Sequence, residues 1–340
     1  MKLRRRKLLL TGLAALAIVV AADGLASALR VEYWRPDERF WRVNVYAYQR
    51  ARLASDVLVV GSSRILFGVS AVRLERELAA APGSPSVYNL GQAFGNALKN
   101  VVILRDVLRS NGCPQIVLLE VSPSLVNGGL EQRRFIAEFA TLADLPLLAP
   151  ELRSKAQLDA YLTSLLAGPV ALYYHWTDPP TPAMVEGALE RQGSRWGERP
   201  PQRLKRLGDE LVRQRGDQAR QALLERFLAD FTISGVPARA LDEIAGMVEG
   251  CGTRLLLVRL PSLVPSAHEI EAIDRSFQDY VSDFSRRTGI PYYDVRAADV
   301  GLRPEHFHDF SHLNHAGAER LSRYLAREIL LPELEGRATP

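Results

Sequence analysis

Five short runs of apolar, largely β-branched residues, each followed by a helix-period pattern, constrain this chain more than any other feature. They are 56–61 (DVLVVG), 86–90 (SVYNL), 115–121 (QIVLLEV), 253–259 (TRLLLVR) and 291–295 (PYYDV). Runs of this length that are apolar throughout, instead of alternating, indicate strands covered on both faces, as in a parallel sheet. The intervening helices are expected over 69–80, 95–109, 238–249, 267–288 and 315–331; the last carries Ala318, Leu321, Leu325 and Ile329 on one stripe. Strand–helix alternation of this kind requires right-handed crossovers. The fold class is therefore α/β, a three-layer α/β/α sandwich around a five-stranded parallel sheet of flavodoxin-like order 2-1-3-4-5. One interval breaks the alternation. Residues 124–237 hold helical stretches and proline-rich punctuation but no good strand, and are read as a helical insertion between the third and fourth strands.

The N-terminus is of a different character. Arg4, Arg5, Arg6 and the flanking lysines precede an apolar run from Leu8 to Ala22, which resumes after Asp23 to Leu29. A membrane span needs about 20 apolar residues. Two readings stand: a single-pass anchor over 1–30, or a signal peptide ending at Ala26-Ser27-Ala28. Both keep the cationic flank inside and export the remainder. On the anchor reading, 31–54 is a stalk, 55–331 the domain and 332–340 a tail. The chain is then held in the cytoplasmic membrane with its domain on the periplasmic side. The net charge of +4 comes from this terminus, and there is no aromatic-laced basic patch, so nucleic acid is not an expected partner. With 47% hydrophobic and 24% charged residues, the chain has globular composition.

Two local motifs carry chemistry. Gly61-Ser62-Ser63-Arg64 follows the first strand and precedes a helix, at the carboxyl edge where open α/β sheets bind ligands. Near the other end, Asp309 and His312 stand three apart in His308-Asp309-Phe310-Ser311-His312. There one carboxylate can orient the imidazole and stabilise the imidazolium as a serine gives up its proton. Ser62 reads as a turn or capping residue. Arg64 either meets an anionic substrate or pairs with a local carboxylate. Asn96 is either a helix N-cap or a hydrogen-bond donor to substrate. His306, His308, His312 and His315 cluster in a loop without the spacing of a metal site, so no metal is expected. His306 and His308 read as surface or rim residues. Tyr173, Tyr174, His175 and Trp176 read either as core or as the lining of a sugar groove.

Serine first, with Asp-x-x-His at the far end, resembles the SGNH (GDSL-like) hydrolase superfamily over residues 55–331. The resemblance makes Ser63 the nucleophile, His312 its base and Asp309 the orienting acid, with no cofactor. It assigns the Gly91 N–H, after Asn89-Leu90, to the oxyanion hole. The third block departs from the family's Gly-x-Asn-Asp: this chain has Glu120-Val121-Ser122-Pro123. The departure removes an oxyanion donor, a group worth about 10²–10³ in rate. Together with the N-terminal segment, the pattern looks like the exported branch that acts on cell-envelope polymers. That branch includes the D-alanine transfer and alginate O-acetylation proteins. It implies an envelope polysaccharide or acyl-ester substrate and a membrane-bound O-acyltransferase as partner. Whether the acyl group passes to water or to a sugar hydroxyl, and whether the chain is instead a weakly catalytic scaffold, stay open. Cys113 and Cys251 each stand two residues before an expected strand. In the order 2-1-3-4-5 these strands are neighbours, so the cysteines are either disulfide-bonded or two free thiols at one end of the sheet.

Overall fold

In a computed structural model, the protein is described over residues 53–92, 96–128, 142–152, 154–163, 230–263 and 268–336, with isolated positions before 53 and between 164 and 229. Five strands form one parallel sheet: β1 (Val57–Val60), β2 (Val87–Asn89), β3 (Ile116–Glu120), β4 (Arg254–Arg259) and β5 (Tyr292–Asp294), in the order β2-β1-β3-β4-β5. Each lies inside its expected run. Helices α1 (Ser63–Gly68), α2 (Ala71–Leu78), α3 (Ala97–Asn111), α4 (Gly235–Gly250), α5 (His268–Thr288) and α6 (His315–Tyr324) surround it.

The continuous hydrophobicity of the strands has a direct structural cause. Successive strand side chains point to opposite faces. Leu58, Val60, Val117, Leu119, Leu255 and Leu257 enter one core with residues of α3, α4 and α5. Val57, Val59, Ile116, Leu118, Leu256 and Val258 enter the other with α1, α2 and α6. All twelve are buried. At about 1.5–3 kcal/mol for each large apolar side chain fully buried, neither face could be left to solvent.

α1 was not among the expected helices. Six residues are too few for a periodic signal, and the helix exists because Ser62 caps it, its hydroxyl accepting from the Arg64 N–H at 3.2 Å. The last expected helix is divided: α6 ends at Tyr324, a π-helical segment occupies Leu325–Leu330, and a short helix follows over Leu331–Glu335. Leu334 is buried in the second core, so the tail expected from residue 332 is part of the domain as far as 335.

The other boundary also shifts. Val45 and Tyr48, assigned above to a stalk, belong to the first core. The Tyr48 ring lies 4.6 Å from that of Tyr88, and its hydroxyl accepts the Ser55 N–H at 3.1 Å. The Asn111 amide ties this segment down, donating to the carbonyls of Tyr48 at 3.1 Å and Leu53 at 2.9 Å. The anchor expected over 1–30 falls largely outside the described residues, and among the described residues no helix is long and apolar enough to cross a membrane.

Much of the insertion also lies outside the described residues, including Tyr173, Tyr174, His175 and Trp176. Its ends meet at a neck, where Asn127 bridges Ile233 in antiparallel fashion and the Gly128 N–H donates to Thr232 O at 2.7 Å. Arg105 of α3 reaches into it with a two-pronged bond to buried Asp144, at 2.7 and 3.3 Å. Cys113 and Cys251 form a disulfide with Cα atoms 5.7 Å apart. Register explains the reach: Ile116 pairs with Arg254, placing the two turns before β3 and β4 side by side, at the sheet end opposite Ser63.

Candidate active site

The carboxyl edge of the sheet assembles residues from the two ends of the chain. β1 delivers Gly61-Ser62 and then Ser63 as the first residue of α1. The loop before α6 delivers Asp309 and His312. It is held by an isolated bridge between Phe307 and Leu313 and by the Asn314 N–H donating to His306 O at 3.0 Å. Ser63 Oγ lies 2.7 Å from His312 Nε2, and His312 Nδ1 lies 2.7 Å from Asp309 Oδ2. With the ring proton on Nδ1, Nε2 is left to accept from the serine hydroxyl. The Phe67 ring meets the imidazole edge-on at 5.6 Å.

Asp309 is locked on its second oxygen. Oδ1 accepts the N–H groups of Ser311 and His312, each at 2.8 Å. Burial raises the pKa of this carboxyl, but the hydrogen bonds and charge of His312 with these backbone donors outweigh it and hold it at about 2. It is therefore ionised at neutral pH, and its oxygens can only accept.

The remaining residues separate. Ser62 is the helix cap, and the Ser63 hydroxyl faces the imidazole. The Arg64 guanidinium donates to the carbonyls of Leu260 and Pro261 and stands 3.7 Å from Glu120 Oε1, the geometry of the local-carboxylate reading. Burial lowers its pKa, with Glu120 opposing. The Gly91 N–H donates to Asn89 Oδ1 at 2.7 Å, so in this conformation it is occupied and not turned to an oxyanion. Its lack of a side chain serves packing: an added Cβ would lie 2.7 Å from Ile65 Cγ2 and closer still to the Leu66 backbone nitrogen. Asn96 caps α3, Oδ1 accepting from the Lys99 N–H at 2.8 Å, while its Nδ2 is buried without a partner among the described residues. His306 is buried, and its Nδ1 accepts from the Arg303 N–H at 2.9 Å; the surface reading fits His308 alone. Among the described residues no group of histidine, cysteine and carboxylate side chains is arranged for a metal ion.

Glu120 is the residue that the motifs did not single out. It ends β3, is 1% exposed, and its Oε2 accepts both the N–H and the hydroxyl of Ser62 at 2.7 Å each. The available signal was a lone carboxylate closing an otherwise apolar strand (IVLLE), a placement that buried charge rarely takes without a partner.

No family model and no curated protein matches the sequence. Seventeen solved chains match the fold. Among them is a crystal structure from Bacteroides fragilis NCTC 9343, provisionally described as an acylhydrolase. It is 12% identical to this chain and covers 87% of it and 97% of its own length, with a TM-score of 0.39, too low to carry any residue's role across.

Proposed function

We propose that this protein is a serine-dependent acyl-transfer enzyme of the SGNH type, with Ser63 as nucleophile, His312 as base and Asp309 as the orienting acid. One observation carries the reading: two bonds of 2.7 Å link Ser63 Oγ through the imidazole to Asp309, although the serine and the other two residues lie at opposite ends of the sequence. In the first half-reaction, Ser63 Oγ bonds to the acyl carbonyl carbon as its proton passes to His312 Nε2. The tetrahedral intermediate then expels the alcohol, which takes that proton, and leaves acyl-Ser63. In the second half-reaction, water or a sugar hydroxyl attacks the acyl carbon and gives its proton to Nε2. Ser63 leaves and recovers the proton. As the first residue of α1, Ser63 has an N–H that no carbonyl of the helix accepts, which suits it to the oxyanion. With the Gly91 N–H occupied, Asn96 Nδ2 is the remaining candidate for a second donor.

The substrate class in this reading is an O-acylated cell-envelope polysaccharide, met on the periplasmic side by a membrane-anchored chain beside a membrane-bound O-acyltransferase. Two features support export: the basic flank before the apolar N-terminal run, and a disulfide, which persists in oxidising compartments. A second reading, a non-catalytic partner of such an acyltransferase, draws on the missing third-block asparagine and the occupied Gly91 N–H.

Labelling with a fluorophosphonate serine probe separates them. The protein should be labelled, and Ser63→Ala and His312→Ala should each abolish it. Labelling of Ser63→Ala at the native rate would refute the nucleophile, and an inert native protein favours the scaffold.

A further inference from the structure

We propose that Glu120 is a positioning residue for the Ser63 nucleophile, acting through Ser62; this rests on the acyl-transfer reading above. β1 and β3 pair in parallel with Val60 opposite Leu119, so Glu120 stands beside Gly61, one residue before the turn. The fit is close, since an added Cβ at Gly61 would lie 2.6 Å from both Cβ and Oε2 of Glu120. From there Oε2 takes both donors of Ser62, the backbone N–H and the hydroxyl. The same hydroxyl oxygen receives the Arg64 N–H at 3.2 Å, so one carboxylate oxygen fixes the residues on both sides of Ser63. These bonds set the backbone that aims Ser63 Oγ at His312.

The second oxygen reaches the other half of the site. Glu120 Oε1 faces the Arg64 guanidinium at 3.7 Å, and that guanidinium grips the carbonyls of Leu260 and Pro261 in the loop after β4. Leu263 of the same loop donates its N–H to Phe310 O at 2.8 Å, next to Asp309. A buried carboxylate thus couples the nucleophile's turn to the loop carrying acid and base. Where the family pattern has a substrate-facing asparagine after its third strand, this chain closes that strand with a side chain that organises the nucleophile from beneath.

Because both Ser62 bonds end on a single oxygen, reach and charge can be separated. Glu120→Gln keeps the length and one acceptor oxygen; Glu120→Asp keeps the charge and is one methylene too short. The assay is the fluorophosphonate labelling rate, with kcat and KM on an activated ester, on oxidised protein whose near-UV circular dichroism matches the native. Positioning predicts that Glu120→Asp loses about 10²-fold in labelling rate and kcat with KM little changed, the scale of a roughly 1 Å misplacement. Glu120→Gln, whose amide oxygen can still take both Ser62 donors while its nitrogen faces Arg64 unpaired, should recover part of that loss. Equal rates for both variants, whether native or reduced, would overturn the proposal, as would a slow Gln variant beside a native-like Asp variant. Failure of the native protein to label would instead strike the acyl-transfer reading itself.

Discussion

Removing the Cys113–Cys251 bond should cost this protein a measurable part of its stability and none of its catalytic geometry. The two residues are 138 apart in sequence, and the bond closes a loop that contains the whole helical insertion. Chain-entropy arithmetic for a loop of that size gives about 5 kcal/mol of lost unfolded-state freedom at 25 °C; the usual measured range for disulfides is about 2–4 kcal/mol. Taking about 3 kcal/mol, and a urea slope of about 3 kcal/mol/M for a domain larger than the usual small-protein set, Cys113→Ala/Cys251→Ala should lower the unfolding midpoint by about 1 M. The assay is urea titration of the oxidised native protein beside the double variant, followed by circular dichroism. Mass measurement after blocking thiols under non-reducing conditions should show no modified cysteine in the native protein. The bond lies at the sheet end opposite Ser63, so the folded double variant should label with fluorophosphonate at the native rate. Two blocked thiols in exported native protein, or coincident urea midpoints, would refute the reasoning.

Asp309→Asn should keep the fold and lower kcat by about 10²–10⁴, because a neutral amide no longer secures the ring proton on Nδ1; an unchanged kcat would remove Asp309 from the relay. The pH dependence has a definite sign. The native carboxyl sits at about 2, below its ordinary value near 3.9, so its contribution to stability is fully present above about pH 4 and fades as pH falls toward 2. Acid titration of Asp309→Asn beside the native protein should therefore show their stability difference shrinking over that interval. Gly91→Ala should destabilise by about 1–3 kcal/mol through overpacking against α1, seen as a lowered melting temperature, whereas a Gly91 needed only for its N–H would tolerate the methyl.

How far the sequence alone reaches is clear from particular elements. The β-branched apolar run from Ile116 to Leu119, followed by turn and helix signals, reads as a strand covered on both sides, and in the fold its alternate residues do enter opposite cores. The positions of Ser63, Asp309 and His312 were legible for a related reason: a Gly-Ser turn after such a strand, and an acid three residues from a histidine, are local patterns whose spacing survives folding. The sheet order then implied that Cys113 and Cys251 are neighbours, but bonding depends on the approach of two turns 138 residues apart. The same holds for every group whose role is decided by which partner arrives. Asn89 is close to Gly91 in sequence, but its side chain is held against the Gly91 N–H by the carbonyls of Ile65 and Val69, to which its amide donates. Nothing near Arg64 in the chain says that it closes on the carbonyls after β4 and on Glu120. Tyr48 read as stalk because its partners, Tyr88 and Asn111, are distant in sequence. Hydrophobic periodicity fixes which face of an element is buried. Only the packed sheet decides which buried donor meets which acceptor, because that choice depends on ångström distances between strands brought together from remote parts of the chain.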